Sequence, residues 1–123
     1  MSETTKNFLA VFLGGPNEQM MAKWNALPEA ERQQKMQEGG AAWHAWVEKH
    51  KADIVFMGSP LGKTKRVSKN GIEDTRNAMG AYTVVKANSH DTAAKMFEAH
   101  PHFTIFPGES VEIMECLPIP GAP

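Results

Sequence analysis

The first apolar signal in the chain is residues 7–13 (NFLAVFL), an almost unbroken run stopped by Gly14, Gly15 and Pro16. A strand with one buried face alternates, so a continuous run predicts a strand covered on both faces. Residues 16–26 are polar and predict a connection with a helical turn around residues 20–24. A long helix then opens at Leu27, Pro28 and Glu29, where proline suits the first turn and acids suit the N-terminus. It is expected to run to about Lys51, with Met36, Gly40, Trp43, Val47 and His50 forming one inner stripe flanked by Trp46. Adjacent Gly39 and Gly40 lower helix propensity by about 2 kcal/mol against alanine. They predict a kink, a break or a close backbone approach.

Residues 53–58 (DIVFMG) read as a second strand, followed by a Ser59-Pro60-Leu61-Gly62 corner. Residues 63–68 and 72–76 flank Asn70-Gly71, a hairpin signal because both residues tolerate positive φ. Residues 81–87 (AYTVVKA) form a third core strand. A helix capped by Asn88 or Ser89 is then expected to reach Phe103, with Ala93, Met96, Phe97 and His100 inward. Residues 110–117 alternate, placing Val111, Ile113, Glu115 and Leu117 on one face and Glu112, Met114 and Cys116 on the other. The order is β-α-β-β-α-β with an extra hairpin. Right-handed crossovers on that order give an α+β, ferredoxin-like antiparallel sheet with both helices on one face. A chain this short leaves the other face bare, so a second copy is expected to cover it, forming a dimeric α/β barrel. No linker or repeat divides residues 1–123, and a single domain is expected.

Composition narrows the partners. Thirteen basic and 14 acidic residues give a net charge of −1 with no basic stripe, which argues against nucleic acid. No apolar run approaches the roughly 20 residues of a membrane span. The start, MSETTKNF, has neither the cationic nor the apolar part of a secretory signal. Cys116 is the sole cysteine, which fits a reducing cytoplasm. The eight methionines are expected mainly as core filling.

Several passages together resemble the YCII-related family, in the branch it shares with DGPF-domain proteins. They are FLAVFLGGP, NALPEAERQQKM, AWHAWVEKHKADIVFMGSPLG, DTRNAMGAYTVVKANSHDTAAKMFEAHPHF and VEIMECLPIP, in register over nearly the whole chain. The resemblance implies a dimeric α/β barrel with a small-molecule site between helices and sheet. Some members look like enzymes acting on ring-derived or halogenated acids, and many have no assigned activity. The DGPF tetrapeptide itself is absent: the chain passes from Asn70-Gly71 through residues 72–76 to the third strand. The family's proposed site pairs a first-helix histidine with an aspartate before a proline. Here His100 holds the pre-proline position and His44 is the first-helix partner, so a His–His pair would replace His–Asp.

The candidate chemistry follows. His44 lies about 100° around the helix from Trp43, at the border of the stripe, where a general acid or base can meet both pocket and solvent. Border positions are also ordinary places for a polar residue. His50, on the stripe near the helix end, reads as a core or capping histidine. His100 and His102 flank Pro101 at a helix end that favours protonated imidazole, and both could equally be caps. Arg76 is a possible carboxylate clamp, or else a counter-ion for Asp74 or Glu73. Trp43 and Trp46 are an aromatic pocket wall or simply core. Glu112 is a second candidate base if a barrel buries it. Ser59 lacks the context of a nucleophile elbow. Without cysteine or carboxylate partners at ligand spacing, neither a metal nor another cofactor is expected. The leading expectation is a small-molecule-binding protein, with His44 and His100 as acid and base on a small organic acid or ring-derived metabolite. The alternative is a non-catalytic dimeric module that senses such a metabolite.

Overall fold

The computed structural model describes residues 4–14 and 18–121. Gly15, at the end of the first apolar run, and Pro16 and Asn17, at the start of the polar connection, lie outside them. Four strands make the main sheet: β1 (Lys6–Leu13), β2 (Ile54–Phe56), β5 (Met79–Ala87) and β6 (Ser110–Glu115). Their order across the sheet is β2-β5-β1-β6, and each neighbouring pair is antiparallel. Two split β-α-β connections produce that order. A separate two-stranded sheet is formed by β3 (Thr64–Ser68) and β4 (Gly71–Thr75).

The period-2 pleat sorts β1 into two faces. Phe8, Ala10 and Phe12 point to the helices, and the register sets Phe8 opposite Val85 and Lys6 opposite Ala87. These apolar residues are buried together with Trp46, Ala93 and Phe97 in one cluster. Strand β6 alternates as its sequence predicts, with Val111 opposite Phe12 and Ile113 opposite Ala10. The other face of the sheet carries Leu9, Val11, Tyr82, Val84, Phe56 and Met114 by the same register. Its centre is tight, with Val11 at 6% exposure, but its margins are open among the described residues: Phe56 is 56% exposed and Met114 42%.

Helix α1 (Glu18–Ala26) precedes α2 (Glu29–His50), which runs without a break through both glycines. Of the three outcomes that Gly39-Gly40 allowed, close approach is the one realised. Gly39 is buried against the ring of Phe106, and a Cβ there would overlap that ring. The inner face is rotated from the predicted stripe. Met36 is 57% exposed and Gly40 touches nothing, whereas Gly39 and Trp46 are buried. Burial of two tryptophan rings, Trp43 and Trp46, outweighs that of one methionine and sets the rotation. Trp46 fixes it further by donating its Nε1–H to the Met96 carbonyl at 2.7 Å.

The second helical segment is shorter than its pattern. It spans α3 (His90–Lys95), capped by Ser89, whose hydroxyl accepts from the Thr92 amide. Turns follow, then α4 (Pro101–Thr104). Proline disfavours helical geometry at the preceding residue, and His100 is accordingly extended at φ −63°, ψ 141°. Ala99 before it is left-handed, φ 55°. The inward set Ala93, Phe97 and His100 nevertheless stays buried, with Met96 partly so. In the hairpin, Ser68 pairs with Gly71, which makes Lys69 and Asn70 the two turn residues. Only Gly71 takes positive φ, at 112°. The turn is thus displaced by one residue from the predicted Asn70-Gly71 centre. No helix among the described residues is long and apolar enough to cross a membrane.

Candidate functional site

His100 is the centre of the protein. Its side chain is fully buried, with Trp43 edge-on at 4.5 Å between ring centroids, Trp46 at 4.9 Å, Phe12 at 5.1 Å and Phe97 at 5.9 Å. The imidazole serves as the N-cap of α4: its Nδ1 accepts from the His102 amide at 3.0 Å. That bond places the neutral ring's proton on Nε2, which has no hydrogen-bond acceptor among the described residues. Burial, followed by the nearby His102 and His50, lowers its pKa from 6.5 to about 4. This corrects the expectation of protonated imidazole at a helix C-terminus. His100 lies at a helix N-terminus, where lone pairs are wanted and positive charge is not.

The expected pairing of His44 with His100 does not form in the protomer. The His44 side chain is 78% exposed on the outer surface of α2, 4.0 Å from Glu48. Trp43 and Trp46, which the sequence allowed as pocket wall or as core, both pack against the His100 ring. His50 packs against Trp46 with its ring tilted, 4.9 Å between centroids, and burial followed by Lys49 lowers its pKa, opposed by Asp53. Glu112 projects from the bare sheet face and is exposed in a single copy.

His102 borders a different space. Its Nε2–H donates to the Leu13 carbonyl at 2.8 Å, its backbone carbonyl accepts from Gly108, and Phe12 meets it edge-on at 5.3 Å. Gly14 and Gly108 flank the ring closely. A carbonyl only accepts, so in the neutral ring the proton sits on Nε2 and Nδ1 keeps its lone pair. The cavity beside it, about 410 Å³, is lined by Met21, Leu61, Phe106 and Pro107 among others.

Through Gly62, Asn77 and Met79, which line both, that cavity adjoins a larger one of about 810 Å³ at the base of the hairpin. Its walls include Lys63, Thr64, Lys65, Asp74, Thr75 and Arg76. Inside the hairpin the charges are matched. Lys65 Nζ donates to Asp74 at 2.7 Å, and Arg66 Nε to Glu73 at 2.7 Å. Both acids that the sequence offered to Arg76 are therefore committed elsewhere, and Arg76 forms no ion pair among the described residues. Lys63 likewise has no ion-pair partner there. Sequence reasoning found Arg76 but missed Lys63, Asn77 and Phe106. The available signal for Lys63 was its mirror position to Arg76 about the hairpin turn. Among the described residues no group of three or more His, Cys, Asp or Glu is placed to hold a metal.

No protein-family model matches the chain, and no curated protein matches it. Among solved structures it is similar to 5-chloro-2-hydroxyhydroquinone dehydrochlorinase from Burkholderia phenoliruptrix, determined in complex with 2,5-dihydroxybenzoquinone. The two are 18% identical over 87% of this chain and 89% of that one, with a TM-score of 0.49.

Proposed function

We propose that the protein binds a small organic acid in the cleft at the hairpin base and works as a homodimer. The observation that carries this reading is Arg76, a guanidinium on the wall of an 810 Å³ cavity with both neighbouring acids already paired. A planar guanidinium left in that state suits a carboxylate, which accepts two parallel N–H bonds. The cleft passes from this cationic end to the less polar walls of Leu61, Met21 and Phe106, room for the body of the acid. Titration with butyrate tests it. Arg76→Gln is expected to weaken binding about tenfold, the worth of one charge-assisted contact. An unchanged affinity would sink the site.

The dimer is proposed from the bare sheet face, with the kinship to YCII-related proteins resting on the sequence passages quoted above. Exposed Phe56 and Met114 supply apolar area there. Lys86, opposite Asn7, and Glu112, opposite Val11, sit at diagonal corners of that face. Under a two-fold axis each Lys86 can meet the other copy's Glu112, which makes the face self-complementary. Phe56→Glu is expected to give a monomer by sedimentation; a wild-type monomer would remove the dimer and the burial of Glu112.

Within this reading the non-catalytic alternative has a specific support. His90, His100 and His102 each bond a backbone group, and His44 stands in solvent. Acid–base chemistry would pass to His102, whose Nδ1 lone pair is fixed by the Leu13 carbonyl, in place of His44 and His100. His102→Gln keeps a donor near the Nε2 position and removes Nδ1; His102→Asn does the reverse. If a bound acid is recovered chemically unchanged after long incubation, the protein is a sensor.

A further inference from the structure

The hairpin ladder is complementary at every side-chain pair. Thr64 faces Thr75, Lys65 faces Asp74, Arg66 faces Glu73 and Val67 faces Ile72. Immediately beyond the last pair, Thr64–Thr75, the two arms carry Lys63 and Arg76, so two like charges stand at the open end of the ladder. Like charges on the two arms repel each other. Lys63 and Arg76 line the 810 Å³ cavity together with Lys65 and Asp74. Lys65 and Asp74 cancel, which leaves the cavity wall with two uncompensated cations in a chain of net charge −1. Thr64, Thr75 and Asn77 add hydroxyl and amide groups to the same wall.

From this mismatch we infer that the hairpin base is a clamp for a dianionic oxyanion ligand, a dicarboxylate or a phosphate monoester, held between Lys63 and Arg76. The inference rests on the small-acid reading of the cleft and specifies the charge of the ligand. A monoanion satisfies one cation and leaves the other facing it. A dianion neutralises both and removes the repulsion between them, so occupancy and hairpin stability are coupled.

The test compares succinate, methyl phosphate and butyrate as probes at about pH 8, where a phosphate monoester carries two charges. Binding is followed by backbone amide shifts of residues 62–65 and 74–79. The expected result is that succinate or methyl phosphate binds about tenfold tighter than butyrate. The tighter of the two identifies which dianion the clamp is shaped for. Lys63→Gln should abolish that preference, bringing succinate and methyl phosphate down to the affinity of butyrate for the same variant. Lys63→Glu should give Arg76 an acid on the other arm, raising amide-exchange protection in the hairpin while ending succinate binding. Equal affinity for butyrate and the dianions, or a preference that survives Lys63→Gln, overturns the dianion clamp and leaves the cleft standing as a site. Absence of binding by all three probes to folded wild type overturns both.

Discussion

The HPH corner and the hairpin base use titratable groups in opposite ways. At the corner, His100 has four aromatic neighbours, a backbone amide on Nδ1 and no exposure, with Nε2 alone left without a hydrogen-bond partner among the described residues. At the hairpin base, Lys63 and Arg76 are exposed and have no ion-pair partner among the described residues. A histidine driven to a pKa of about 4 by burial is neutral at pH 7 and serves the fold. Two cations on one cavity wall, without counter-ions, repel each other and remain available to a ligand. Unspent charge, more than a conspicuous cluster of chemical residue types, marks where this protein can bind.

The contrast can be broken first in the core. Phe12 is 1% exposed and touches Trp43, Phe97, His100 and His102. Phe12→Ala is expected to cost about 3–5 kcal/mol in a denaturant titration. A cost under about 1 kcal/mol would mean that the aromatic nest is not the structural centre. Next in size is the pH response of His100. Its folded pKa lies below the unfolded 6.5, so the unfolded chain binds the extra proton between about pH 6.5 and 4. Stability from this group is complete above that window and is lost as pH falls through it, by about 3 kcal/mol in all. His100→Asn retains a side-chain acceptor for the cap and should flatten this slope; an unchanged slope would assign it to other groups.

Ala99 sharpens the comparison on a smaller scale. Its left-handed backbone strains a side chain that bears a Cβ, and Ala99→Gly should raise stability by about 0.5–1 kcal/mol despite the freer unfolded chain. A loss would show that the turn before His100 is not under strain. The smallest effect belongs to His44. Its replacement by alanine should change stability by less than about 0.5 kcal/mol, as for other exposed positions, and should leave butyrate binding intact.

Periodicity made much of the fold legible. Strands β1, β5 and β6, the helix α2 and the inward set of Ala93, Met96, Phe97 and His100 all follow from spacing. What spacing could not settle was competition between local and distant terms. The second helix stopped at Lys95 although its apolar pattern continued through His100; turns lead to a left-handed Ala99, and Pro101 holds His100 extended, so local backbone geometry overrode side-chain periodicity. The Met36–Gly40 stripe gave way to Gly39 and Trp46 because Phe106, 67 positions from Gly39 in sequence, seats its ring on that glycine. At the site, Arg76 was legible as a charge beside a turn. Its lack of a counter-ion was not, since that depended on which cations Asp74 and Glu73 would take. The hairpin register decided this, giving Asp74 to Lys65 and Glu73 to Arg66.

The most direct measurement is a succinate titration of the wild-type protein followed by two-dimensional amide NMR. The account predicts shifts concentrated at residues 62–65 and 74–79, with the amides around His100 and Trp43 unmoved. Shifts centred on His100 and Trp43, or no shifts at saturating succinate, would contradict it.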